Sequence, residues 1–201
     1  MQKAKLAVAA ACLLLGATVA ANASPYTVTL KQVGSNVVAT GDGNIDTSGL
    51  SGDGVGPGGS AVEANVAYLG LGGGPVWVYD TQSFTGPTSF GPGSNFTSAN
   101  SQLGASAGIY IAGGFEVVIY VPSGYVSDSN ISDSATWNNT TLVSLGITPG
   151  AYMWSWGAGG TDQSFTLDVV SPTPLPAALP LFASGLGALG LAAWRRRKKA
   201  A

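Results

Sequence analysis

Histidine is absent from the 201 residues, and the one cysteine, Cys12, sits inside an apolar run near the N-terminus. The stretch 24–171 therefore has neither residue. Thiol nucleophiles, Ser-His-Asp triads, His-ligated zinc and disulfides are all excluded there. Charge is scarce too, at 9% of residues, and it is unevenly placed. All ten acidic residues lie within 24–171, where Lys31 is the lone basic residue, leaving a net −9. Such a balance argues against nucleic acid, anionic lipid or acidic polysaccharide as a direct partner. No segment of this stretch sustains a 3.6-residue apolar period, and no repeat of solenoid length is visible.

What is present at the N-terminus is a targeting pattern. Lys3 and Lys5 precede an apolar run from Leu6 to Ala20, and Ala21-Asn22-Ala23 has the small-x-small form of a cleavage site. This predicts a signal peptide over 1–23, with Ala21 and Ala23 read by signal peptidase after passage through the Sec translocon and Ser24 as the first mature residue. An uncleaved anchor helix, or lipid modification at Cys12, is the alternative reading of the same run.

The C-terminal 30 residues have a different order. Prolines at 172, 174, 176 and 180 lead into an apolar span, Leu179 to Trp194, followed by Arg195-Arg196-Arg197-Lys198-Lys199. As a helix the span covers roughly 24 Å at about 1.5 Å per residue. That is short of the ~30 Å bilayer core unless Leu175 to Ala178 join it. In lipid the backbone must satisfy itself, so a helix over 179–194 is the expected form. The positive-inside rule holds 195–199 in the cytoplasm and leaves the body outside.

The motif Pro174-Leu175-Pro176-Ala177-Ala178, with the glycine-rich span and basic stop behind it, resembles the PEP-CTERM class of bacterial sorting signals, closest to its VPLPA-type variant. Leu175 replaces the eponymous Glu, and Thr173 stands where the variant has Val. The resemblance implies an exosortase partner and a Gram-negative, exopolysaccharide-producing host. It assigns recognition to Pro174, Leu175, Pro176, Ala177 and Ala178, and the stop to Arg195, Arg196 and Arg197. The body also resembles small exported proteins that carry this tail. That likeness rests on Thr27 to Val33, Gly41 to Leu50, Val121 to Ser127, Ala135-Thr136-Trp137, Leu145 to Gly150, Tyr152 to Gly157 and Asp162 to Leu167. It implies no activity.

Within 24–171 the β signals dominate. Tyr26 to Val33 alternates and is rich in β-branched residues, Gly34-Ser35-Asn36 is a turn, and Val37 to Thr40 returns as its hairpin partner. Gly41 to Asn44 reads as a second turn, and the glycine-rich stretch 49–60 as a loop. Further strands are expected over Val62 to Leu69, Pro75 to Tyr79, Phe115 to Val121, Ala151 to Trp156 and Gln163 to Val170, the Phe115 strand being central. Turn signals about every 8–12 residues predict an all-β fold, a single antiparallel β-sandwich of jelly-roll or immunoglobulin-like type. A signal helix and a transmembrane helix would flank it.

Two residue sets invite a ligand. Asp42, Asn44, Asp46 and Asp53 fall at positions 1, 3, 5 and 12 of a calcium-loop spacing. Thr47 replaces the turn glycine and no helices flank the loop, so the plainer reading is a solvated acidic turn. Tyr152, Trp154 and Trp156 share one strand face, and Trp77 with Tyr79 repeats the pattern. Such rows could stack sugar rings or face the core. The carboxylates Glu63, Asp80, Glu116, Asp128, Asp133, Asp162 and Asp168 contain no spacing that selects an acid–base pair. The expectation is a non-catalytic exported protein without cofactor, passing through the inner membrane to the cell surface or exopolysaccharide matrix. A carbohydrate-binding module using the aromatic strand faces is the alternative, with polysaccharide as partner.

Overall fold

The structure is a computed structural model that describes residues 24–81, 83–113, 116–157, 163–172, 182 and 184–186. Its strands form two seven-stranded sheets. The first runs, edge to edge, β7 (Phe84–Thr85), β13 (Gly150–Trp156), β14 (Gln163–Val170), β1 (Tyr26–Val33), β2 (Asn36–Asn44), β12 (Asn130–Trp137) and β9 (Ser101–Gly104). The second runs β3 (Ser51–Gly58), β6 (Gly74–Thr81), β11 (Glu116–Pro122), β10 (Ala107–Ala112), β5 (Tyr68–Leu71), β4 (Ala61–Glu63) and β8 (Thr97–Ser98). Strand alternation sends Val28, Leu30, Ala39, Ala135 and Leu167 from the first sheet, and Leu69, Ile109, Val117 and Ile119 from the second, into one shared core. The all-β expectation therefore holds. Among the described residues no helix is long and apolar enough to cross a membrane. The sites at Ala21 and Ala23, the Pro174 to Ala178 motif and the Arg195 to Arg197 stop all lie outside the described residues.

Three local expectations change. The fold is not wholly antiparallel: β1 and β14 pair in parallel, Tyr26 opposite Phe165 through Lys31 opposite Val170. With nearly the whole body as the connection between them, neither hairpin nor short-loop geometry constrains their relative direction. Gly41 to Asn44 is not a turn but the end of β2, because β1 and β12 pair with it on both sides. The glycine-rich stretch is likewise not a loop. It supplies the edge strand β3, paired with β6 from Ser51 opposite Asp80 to Gly58 opposite Gly74. Backbone hydrogen bonds need no side chain, so glycines can be recruited once a neighbouring strand is in place. A register shift between Gly52 and Gly54 marks a bulge there, and Gly54 adopts φ +138°.

Edges are kept unattractive for further strand pairing. β7 and β8 are two residues long, β9 is four, and β3 carries Pro57 and the bulge. The chain changes sheets between β9 and β10, through Ala105 and Ser106, and Gly73 N–H donates to Gly104 O at 3.0 Å across that corner.

Three tryptophans, Trp137, Trp154 and Trp156, are among the largest fully buried side chains. Each indole N–H reaches a backbone carbonyl of another segment: Thr97 at 3.0 Å, Pro87 at 2.6 Å and Asp46 at 3.2 Å. Trp154 also packs edge-on against Phe165, with ring centroids 6.1 Å apart. Trp154→Phe removes the donor, leaves the Pro87 carbonyl unpaired and opens a small void. We expect a loss of about 2–4 kcal/mol, read as a lowered Tm in thermal unfolding followed by near-UV circular dichroism.

Candidate functional site

The aromatic row of β13 points inward. Tyr152, Trp154 and Trp156 lie opposite Leu167, Phe165 and Gln163 of β14. Both tryptophans are fully buried, and Tyr152 is half-buried, stacked on Trp154 and bonded through its hydroxyl to Thr148 O at 2.9 Å. On β6, Tyr79 pairs with the buried Ile119 and packs against the core, and Trp77 opposite Val55 keeps 37% of its surface exposed. The five residues do not form one face.

The four calcium-spaced residues also diverge. Asp42 points out from β2, the Asn44 amide donates to Asp128 O at 3.3 Å, and Asp53 lies in the other sheet. Asp46 is the centre of a polar knot. One carboxylate oxygen accepts from Ser48 N–H at 2.7 Å and the Ser127 hydroxyl at 2.9 Å, the other from the Gln163 amide at 2.9 Å. Those hydrogen bonds outweigh the opposing effect of partial burial and draw the carboxyl down to about 2. Close by, the Tyr125 hydroxyl accepts from Ile45 N–H at 2.9 Å and lies 2.6 Å from its Ser129 carbonyl acceptor. Among the described residues, no three His, Cys, Asp or Glu side chains gather closely enough to hold a metal ion.

Asp133 was one of many acidic residues in the sequence, with nothing to single it out. In the fold it points inward from β12 and is 6% exposed. Its Oδ1 accepts from the Tyr26 hydroxyl at 2.6 Å, while Oδ2 has no hydrogen-bond partner among the described residues. Gly41 makes the pair possible, since a Cβ there would collide with the Tyr26 hydroxyl and the Asp133 carboxylate. Burial, reinforced by the nearby Asp42 charge and opposed by the Tyr26 bond, pushes Asp133 up to about 7. Burial, and after it the Asp133 carboxylate, drive the Tyr26 phenol well above its ordinary value.

A second cluster stands on the outward face of the second sheet. Inward positions Leu69, Ile109 and Ile119 are buried, so Tyr68, Tyr110 and Tyr120 point the other way and are half-buried. Ile109 pairs with Leu69, and the same register carries Tyr110 beside Tyr68. Their ring centroids are 5.9 Å apart. Tyr120 lies 6.1 Å from Tyr68, and Phe96, from the loop before β8, 5.1 Å from it. Tyr120 pairs with Gly108, which pairs with Gly70, so glycines floor the cluster. Burial raises the Tyr68 and Tyr120 phenols, which keeps both hydroxyls neutral. Sequence reading passed over these rings because each belongs to a separate strand, with glycine or aliphatic neighbours. Nothing in the sequence places those strands side by side.

Compared with known proteins, the chain matches no family model, no curated protein and no solved structure.

The Asp133 geometry makes two predictions. A carboxyl raised above its unfolded value of about 3.9 stabilises fully below that pH and loses its contribution as pH rises through about 7. Asp46 works in the opposite sense, but its window lies below pH 4. The Tm should therefore fall between about pH 4 and 7, and Asp133→Asn should flatten that slope. A slope unchanged in the variant would remove Asp133 as its source. Gly41→Ala should force the Tyr26 ring from Asp133 and lower stability by about 1–3 kcal/mol, measured by urea unfolding.

Proposed function

We propose that the protein is an exported, non-catalytic component of the cell surface or extracellular matrix, routed there by its C-terminal signal through an exosortase. The observation that supports this reading is how the body uses its acidic chemistry. Among the described residues, the two carboxylates with displaced ionisation, Asp46 and Asp133, are both engaged in bonds that hold loops and strands together. Perturbed carboxylates often mark catalytic sites, but burial in the core accounts for the shift at Asp133 and hydrogen bonds from neighbouring loops for the one at Asp46.

In this reading residues 1–23 leave at the Ala23–Ser24 bond, and the helix over 179–194 holds the body at the inner membrane until the tail is removed. The finer architecture we assign is one sandwich of jelly-roll or immunoglobulin-like type, from the two sheets that share a core. The alternative, a carbohydrate-binding module built on Trp77, Tyr79, Tyr152, Trp154 and Trp156, loses two of its five rings to full burial.

Intact-mass spectrometry of the protein from its own host, with and without the exosortase gene, tests the route. The expected species begins at Ser24 and ends near Pro174 to Ala178 only when the enzyme is present. A mass retaining Trp194 and the basic run in both strains would replace this reading with that of a permanent membrane anchor.

A further inference from the structure

We propose that Tyr68, Tyr110, Tyr120 and Phe96 form a platform that binds the pyranose rings of a polysaccharide lacking acidic groups. This site stands apart from the sorting route and uses none of the aromatics that the sequence pattern singled out.

The first support is exposure in the right geometry. Phe96 keeps 58% of its surface open, although it packs against Tyr68. The tyrosines are half-buried, and Tyr68 is tilted by 53–59° to each of the other three rings. The apolar C–H face of a pyranose stacks on such rings, while neutral phenol hydroxyls at the rim can bond its hydroxyl groups.

The second support is a recess between two of the rings. A pocket of about 80 Å³ lies between Tyr68 and Tyr120, with Gly58, Gly59, Gly70 and Ser106 among its walls. That is several times the volume a single water centre needs, enough to admit a hydroxymethyl or acetamido substituent of a stacked sugar. Glycine keeps the recess open: a Cβ at Gly70 would stand 2.6 Å from Gly59 O and 3.4 Å from the Tyr68 hydroxyl.

Charge selects the occupant. Glu63 pairs directly across from Tyr68, and Glu116 and Asp80 lie on the same outward face. The body's lone basic residue, Lys31, belongs to the other sheet. Among the described residues, a uronate or sulfated polymer would meet only like charge on this face, whereas a neutral or amino-sugar polymer would not.

Affinity electrophoresis of the full chain in mild detergent tests the platform. Gels would contain a neutral β-glucan, a soluble chitosan or alginate. Retardation by the glucan or by chitosan, but not by alginate, is expected, and the comparison of those two gels says whether neutral or amino sugars are preferred. Tyr68→Ala and Tyr120→Ala should each weaken retention by about tenfold. Phe96→Ala, at the most exposed ring, should weaken it while leaving the Tm unchanged, which keeps the test valid if a tyrosine variant fails to fold. Thr29→Ala, on the first sheet, should leave retention unaltered. Absence of retardation by both non-acidic polymers would overturn the proposal. So would equal retardation by alginate, or a dimer in size-exclusion chromatography that Phe96→Ala converts to monomer.

Discussion

A buried indole N–H must find an acceptor, and three such groups decide where this protein's irregular segments lie. Trp137, Trp154 and Trp156 each fill part of the core and each donate to a carbonyl outside their own strand. The acceptors are Thr97 at the start of β8, Pro87 in the stretch between β7 and β8, and Asp46 just after β2. The hydrophobic effect places the rings, and the directional bond then fixes which loop backbone covers them. Few charged residues are available for that task, so polar contacts between backbone and aromatic side chains take it over.

The same economy appears in the use of glycine. Where a large side chain must cross the sheet surface, the strand beneath it gives up its own. Tyr26 reaches Asp133 over Gly41, and the tyrosines of the second sheet stand above Gly70 and Gly108. The first arrangement lies inside and produces a buried, half-satisfied carboxyl whose ionisation is displaced toward neutrality. The second lies outside and leaves aromatic surface half-open among the described residues. One device therefore serves internal stability in one sheet and an open surface in the other.

Much of the strand pattern was legible from side-chain alternation. The bounds of β1 and β14 agree with the sequence reading, since β-branched and apolar residues recur there with period two. The stretch 49–60 was not legible, because glycine carries no alternation signal and its strand exists only through pairing with β6. The parallel pairing of the first and last strands was equally hidden: register between segments more than a hundred residues apart leaves no local trace. For the aromatics, period two identified a shared face on β13. It could not say which side of the sheet met the core.

By itself the sequence determined the class of the body and the chemistry open to it. With no histidine or cysteine and one basic residue within 24–171, it limited the body to carboxylates, hydroxyls and aromatic rings, and its period-two pattern required sheets. Only the tertiary structure decided which of those groups meet. Tyr26 and Asp133 are 107 residues apart, and Tyr68 and Tyr120 come from strands with β10 between them. Their juxtaposition depends on strand order and sheet face, which are set by the packing of the whole core and by no local stretch of chain.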